Sequence, residues 1–268
     1  MQTTPIDHTL AIVLAAGRGK RMGSDLPKVL HPLSGRPLVS YAIANAREAG
    51  ADEVVVVVGY RRELVEEALA DEGVSFAVQT EQRGTGHAVL AAREHLSGDG
   101  VVLVVYGDMP LLTAPTLRRL FDRRRECGAA AVALTITLDN PPDFGRIVRD
   151  PAGGVQRVVE VRDADPAELA IREVNVGAYC FSAPPLLSAL ERLRSDNAQG
   201  EYYLTDILGI LVQDGLLVDT VATQVLEETL GINDLLHLAF AEKLNDIKYA
   251  ESLYDLVDAV GRAARRST

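Results

Sequence analysis

The chain has 268 residues, 47% of them hydrophobic, enough to build a substantial core without disulfide or metal staples. A formal net charge of −11 argues against general nucleic-acid binding. The start, Met1 to Asp7, is neither basic nor apolar, and no later apolar run reaches membrane-spanning length, so a cytoplasmic protein with no membrane partner is expected.

Thr9 to Leu14 is an apolar, β-branched run of strand length. It stops in Gly17 and Gly19, set among Arg18, Lys20, Arg21 and Lys28. Glycines let backbone N–H groups approach an anion, and the bases bring positive charge to the same place, so a polyphosphate is the natural guest. The spacing is neither the Walker loop nor the dinucleotide fingerprint. Val39 to Ala49 reads as a helix closed by Gly50, and Val54 to Val58 as a central parallel strand covered on both faces. Arg61 to Ala70 has helical period, Val74 to Gln79 is a short strand, and a helix is expected from about His87 to Leu96. Val101 to Tyr106 is a second fully apolar strand, ended by Gly107 and Asp108. In a doubly wound sheet ligands bind beyond the carboxyl ends of the strands, where the Gly17 loop and Asp108 both fall.

From Ala129 the texture becomes mixed. Ala130 to Leu138 is a strand, Ile147 to Arg149 with Val155 to Val161 a hairpin, and Val174 to Phe181 another strand. Helices are expected over Pro184 to Arg194 and Tyr203 to Asp214, and the whole half should extend the same sheet. Glu242 to Arg265 reads as a charged helical tail with apolar Leu244, Ile247, Leu253, Leu256 and Val260, suited to packing on the body or on a second copy of the chain. The division expected is a body over 1–240 and a tail over 241–268.

Cys127 and Cys180 match no metal or redox spacing and read as reduced thiols. The five histidines offer no zinc spacing, and no nucleophilic serine elbow occurs. Asp108, ending an apolar strand opposite a basic loop, supplies the hard oxygen that magnesium prefers. From the residues themselves, Glu160, Asn175 and Asn233 do not rise above structural hydrogen bonders.

The opening loop with Pro27-Lys28-Val29-Leu30 resembles the signature of the sugar-nucleotide pyrophosphorylases, a nucleotidyltransferase family. Gln79 to Ala88, Tyr106 to Leu111, Phe144 to Ile147, Glu173 to Gly177 and Asn197 to Asp206 are similar to further family segments, in family order over about residues 9 to 240. They resemble most the pyrophosphorylase half of the bifunctional UDP-N-acetylglucosamine pyrophosphorylase and glucosamine-1-phosphate acetyltransferase. The resemblance implies an α/β fold: a Rossmann-like, doubly wound, mixed but mainly parallel sheet of the nucleotide-diphospho-sugar transferase type, with a C-terminal helical tail. It implies a magnesium-dependent uridylyltransferase that makes the cell-wall precursor UDP-N-acetylglucosamine and pyrophosphate from UTP and N-acetylglucosamine 1-phosphate.

Position by position, it implies that Leu14, Ala16, Gly17 and Gly19 line the nucleotide, with Gln79, Gly84 and Thr85 holding the uracil. Arg21 and Lys28 would contact the phosphates as catalytic residues, and Asp108 with Asn233 would hold magnesium. Tyr106, Gly145, Glu160, Asn175, Tyr202 and Thr205 would surround the sugar. Three positions depart from the family pattern: Lys20 replaces a small hydroxyl residue, Phe144 a tyrosine and Arg162 a lysine. The chain shows no hexapeptide repeat of the left-handed β-helix, so acetyltransferase activity and trimer formation through that helix are not expected; a homo-oligomer through the C-terminal helix is the alternative. Two other readings stand beside the first: a nucleotidyltransferase for a glucose or muramic-type 1-phosphate, and a catalytically silent nucleotide-sugar-binding protein.

Overall fold

The computed structural model describes residues 8–96 and 98–246. The first strand, β1 (Thr9–Leu14), is the buried centre of the sheet. After a 3-10 turn at Lys20–Met22 and another at Lys28–Leu30, a two-residue ribbon, β2 (Pro32–Leu33) with β3 (Arg36–Pro37), leads into α1 (Leu38–Ala49). Then come β4 (Glu53–Val58), α2 (Arg62–Ala68), β5 (Ser75–Val78), α3 (Thr85–Ala91) and β6 (Val101–Tyr106). These strands are parallel in the order β6-β1-β4-β5, with Ile12 beside Val55 on one flank and Val104 on the other. The five-valine run of β4 is buried on both faces, as its composition requires.

The second half widens the sheet, as expected. It contains α4 (Ala114–Cys127), β7 (Ala131–Thr137), β8 (Arg146–Arg149), β9 (Val155–Val159), α5 (Pro166–Leu169), β10 (Glu173–Ser182), α6 (Ala183–Leu190), α7 (Asp206–Gln213) and β11 (Val218–Ala222). The described sheet runs β11-β7-β10-β6-β1-β4-β5, with the β8–β9 hairpin attached to β10. Only β10 and that hairpin break the parallel pattern: β10 runs antiparallel to both β6 and β7.

Several expected boundaries shift. The helix expected from His87 starts at Thr85, because Gly84, at φ +113°, turns the chain there. It ends at Ala91, and Arg93–His95 form a 3-10 turn instead. The helix expected from Tyr203 begins only at Asp206, and the one expected to Arg194 stops at Leu190. Three elements are not expected from the sequence: those at Ala114–Cys127, Pro166–Leu169 and Val218–Ala222.

A separate apolar cluster joins Met22, Leu33, Leu38, Leu111, Ile232 and Ala241, with Leu238 and Leu244 packed against it. The last described helix, over 235–246, therefore crosses the expected 240/241 boundary and rests on the body through Ala241. Ile247, Leu253, Leu256 and Val260 of the expected tail lie outside the described residues.

Candidate active site

From β1 the chain passes on one side to β4 and β5, then returns to the other side as β6. The crevice beyond the carboxyl ends of β1 and β6 is thus a topological switch point, the place where open α/β sheets bind ligands. The loop after β1 and Asp108 after β6 flank it. A cavity of about 220 Å³ opens there, lined by Leu14, Ala16, Gly17, Lys28, Gln79, Gly84, Thr85, Tyr106 and Asp108 among others. The structure thus brings together all but one of the residues assigned to the nucleotide, Gly19 being the exception.

Each wall has a local cause. A Cβ on Gly17 would meet nothing within 4 Å, so its backbone faces open space. Gly19, at φ +67°, does not line the cavity; it makes room for the Lys28 stem, whose Cβ would lie 2.4 Å from a side chain there. Gln79 follows β5 and is buried; its amide donates to the Gly84 carbonyl at 3.0 Å and lies 3.1 Å from His87 Nδ1. Gly84 is held in turn against the Tyr202 backbone, with Tyr202 N–H donating to the Arg83 carbonyl and Gly86 N–H to the Tyr202 carbonyl, both at 2.8 Å. Thr85 Oγ1 accepts the Leu204 N–H at 3.1 Å.

At the mouth of this cavity Lys28 donates to Asp108 Oδ2 and, at 3.2 Å, to Asn233 Oδ1. Three distant segments meet in one charged cluster. Ile232 N–H donates to the Asp108 carbonyl at 2.8 Å, which ties the Asn233 turn to the end of β6. A carboxylate and an amide oxygen form a hard, oxygen-only donor set that fits magnesium. Among the described residues no group of three His, Cys, Asp or Glu side chains forms a metal cage, and magnesium is usually held by one or two protein oxygens with substrate phosphate and water completing the shell.

A second cavity, of about 570 Å³, is lined by Arg21, Asp143, Glu160, Val161, Arg162 and Gln199. Here the loop of bases departs from the expectation that Arg18, Lys20, Arg21 and Lys28 share one place. Lys28 faces the switch-point cavity and Arg21 the second one, while Arg18 stacks on the Tyr60 ring at 5.2 Å and, with Lys20, lines an outer groove. The reason is geometric: the 3-10 turn at Lys20–Met22 buries Met22 and sends its neighbours in different directions.

Glu160 follows β9 directly and accepts the Thr205 hydroxyl at 2.8 Å; burial pushes its carboxyl above the usual range. Gly145 immediately precedes β8, and a Cβ there would meet Val158 Cγ1 at 2.7 Å and lie 3.5 Å from Glu160 Oε1. Asn175 N–H donates to the Gly145 carbonyl at 2.9 Å, and the Asn175 amide donates to Tyr179 OH at 2.7 Å. The register of β10 shifts between Asn175 and Tyr179, and Gly177 in that shift, at φ +98°, leaves space for the Tyr106 ring. Tyr106 links the two halves, and burial raises its phenol well above the ordinary value. Gly145, Glu160, Asn175 and Thr205 therefore sit together. Tyr202 is placed elsewhere: its ring lies under the Arg83 guanidinium at 5.0 Å and near His87, on the Gly84 side.

Gln82 and Glu201 also line the switch-point cavity, and Asp143 and Gln199 the second. None of the four stands out in the sequence as a site residue. Gln82, Gln199 and Glu201 fall within segments that carried the family resemblance.

A family model described as a MobA-like NTP transferase domain matches residues 11–208, a span that holds the glycine loop, Asp108, Glu160 and Thr205. The chain belongs to the MobA-like NTP transferase family. A nucleotidyltransferase domain is what the switch-point cavity and its cations suit. The chain is 48% identical over 236 residues to a bifunctional protein GlmU of Trichlorobacter lovleyi, covering 87% of this chain and 51% of that protein. It is 49% identical over 249 residues to one of Burkholderia ambifaria, covering 93% and 54%. It thus spans about half the length of these curated relatives. A solved UDP-glucose pyrophosphorylase complexed with UDP-glucose shares the fold, with a TM-score of 0.70 at 18% identity over 90% of this chain and 99% of that one. The expected fold, a mixed but mainly parallel nucleotide-diphospho-sugar transferase sheet, is therefore the fold observed.

Among the described residues no helix is long and apolar enough to cross a membrane.

Proposed function

We propose that this chain is a magnesium-dependent uridylyltransferase that joins UTP and N-acetylglucosamine 1-phosphate to give UDP-N-acetylglucosamine and pyrophosphate. The observation that carries the reading is Lys28 in contact with Asp108 and Asn233 at the mouth of the switch-point cavity. The Glu160–Thr205 pair and Arg21, at the second cavity, supply the sugar-facing side. The extent of identity to the GlmU proteins supports a sugar-1-phosphate nucleotidyltransferase, and the family resemblance of the segments around these residues supports the amino sugar.

In this reading Gln79 and the Gly84 turn present an amide and backbone groups to the uracil edge, a fixed polar pattern that one base satisfies best. Glu160 accepts from a sugar hydroxyl, and the Asn175 amide and Gly145 backbone line the same side. A phosphate oxygen of the sugar phosphate then attacks the α-phosphorus of UTP in line. The bond from that phosphorus to the bridging oxygen breaks, and pyrophosphate leaves with the electron pair. No protein nucleophile is needed, so the side chains position the reactants and offset charge. Lys28 and Arg21 approach the phosphates from two sides, and preorganised donors of this kind contribute about 3–4 kcal/mol each. Magnesium held by Asp108 and Asn233 would supply further neutralisation of the phosphate charge.

The test is pyrophosphate release from UTP and magnesium across N-acetylglucosamine, glucosamine, N-acetylmuramic acid and glucose 1-phosphates. Clear preference for the first is expected. One observation favours a second reading: Arg21 and Arg162 both line the second cavity, a pair of guanidiniums suited to a sugar that carries an extra carboxylate. Preference for the muramic-type phosphate would select it. Binding of UTP with no turnover on any sugar would leave a silent binding protein.

A further inference from the structure

The two oxygens assigned to the metal are already bridged by a cation that belongs to the chain. Lys28 Nζ donates to Asp108 Oδ2 and to Asn233 Oδ1, joining residues 80 and 205 positions away in sequence. Lys28 and Asp108 are only 15% and 16% exposed at their side chains, so this contact is shielded from bulk water. Those oxygens cannot hold the ammonium and a divalent cation in the same place, because two positive charges within a few ångströms in a shielded site repel strongly.

The backbone beneath Lys28 is held by packing and a turn, whereas, among the described residues, its tip is held only by those two contacts. Val29 and Leu30 are buried, and Leu30 N–H closes the 3-10 turn on the Pro27 carbonyl at 2.9 Å. The first carbons of the side chain lie in the space left by Gly19. Beyond them the four-carbon stem retains rotatable bonds, and it lines the cavity that also holds Gly17. A polyphosphate in that cavity would offer the ammonium a richer set of anionic oxygens than one carboxylate does.

We propose that Lys28 is an internal stand-in for the divalent cation. Its ammonium holds Asp108 and Asn233 together until nucleotide phosphates draw it into the cavity, and only then do the two oxygens accept the metal. This rests on the reading of Asp108 and Asn233 as the metal site. The same lysine thus has two positions, and a free divalent cation competes with it for one of them. Cation and nucleotide bind in a coupled order, nucleotide first.

The test is Mn²⁺ binding to the whole chain without nucleotide, followed by electron paramagnetic resonance of the free ion, so that turnover plays no part. Lys28→Met should bind Mn²⁺ at least tenfold more tightly than the native chain. Lys28→Gln should do the same, while Lys28→Arg, which keeps the charge, should bind no more tightly than native. The gain should vanish in Lys28→Met with Asp108→Asn. Unchanged or weaker Mn²⁺ binding in both neutral variants, with native-like melting curves, overturns the proposal, as does an equal gain in Lys28→Arg. If instead native Mn²⁺ binding in the presence of UTP survives Asp108→Asn, the metal-site reading itself fails, an outcome distinct from the others.

Discussion

Asp206 opens α7 beside Thr205, and burial, with the nearby charges of Glu160, Asp163 and Asp196, pushes its carboxyl from 3.8 up to about 6. A folded-state value above the unfolded one means that the folded chain holds the extra proton between about pH 4 and pH 6. The contribution of Asp206 to stability is therefore most favourable below that window and is lost as pH rises through it. The gap of about two pH units corresponds to about 3 kcal/mol lost at neutral pH, at about 1.4 kcal/mol for each.

Two effects reduce that figure. Asp206 also lines a solvent-reached groove with Arg157, Arg194 and Asp196, and a carboxylate at the first turn of a helix gains about 0.3–1 kcal/mol from the helix dipole. Asp206→Asn, which keeps the shape and removes the charge, should therefore stabilise the protein by about 1–2 kcal/mol near pH 7.5. That is a rise of about 2–8 °C in melting temperature for a domain of this size. The gain should shrink toward zero near pH 4. Thermal melts of both proteins across that range check it. A gain independent of pH, or a variant no more stable than native near pH 7.5, would refute the assignment.

Glu228 is 1% exposed and accepts hydrogen bonds from the hydroxyls of Thr113, Thr116 at 2.9 Å and Thr223 at 2.7 Å, pinning the segment that leads to Asn233 onto α4. Glu228→Ala leaves three hydroxyls without their acceptor and should cost about 3 kcal/mol in urea unfolding; a loss below about 0.5 kcal/mol would show that the network holds nothing. Gly84→Ala would place a Cβ 2.6 Å from the Tyr202 carbonyl oxygen and 2.7 Å from its nitrogen, at φ +113°. It should cost about 1–3 kcal/mol and weaken UTP binding in calorimetry, and native-like affinity would remove that turn from the nucleotide site. Lys28→Ala and Arg21→Ala should each lower kcat for pyrophosphate release by about 10² to 10³, and near-normal kcat in both would take them out of the mechanism.

The parallel core was legible because its signals are local. Five consecutive valines in β4 and the apolar run of β6 admit no other burial, and the two glycines after β1 mark where the strand must stop. The helix over Ala114–Cys127 carried equally local signals, a proline near its start and Gly128 at φ +67° just past its end, but five arginines mask its narrow apolar stripe of Leu117, Leu120 and Phe121. β11 was hidden by its mixed pattern: Asp219 and Thr220 interrupt Val218 and Val221, and only pairing with β7 makes it a strand. The site was legible in part. Asp108 follows from topology, whereas nothing local distinguishes Asn233 or Glu160 from structural polar residues; the chain fold brings one to Lys28 and the other to Thr205.

That division reflects how the sheet is built. The switch-point cavity lies at the ends of parallel strands, so the loops after β1, β5 and β6 reach it from one direction. The other half depends on a reversal. Because β10 runs against β6, with Tyr179 beside Val104 and Ser182 beside Val101, its first residues lie at the carboxyl end of β6, next to the crevice. The β8–β9 hairpin pairs there, through Val174 and Arg146, and so delivers Gly145 and Glu160 to the rim beside Asn175. A parallel strand in the place of β10 would have carried Asn175 and the hairpin to the amino end of β6, away from the crevice. The antiparallel strand is thus what adds a second cavity to the parallel core, so that Arg21 and Lys28, seven residues apart on one loop, line different cavities.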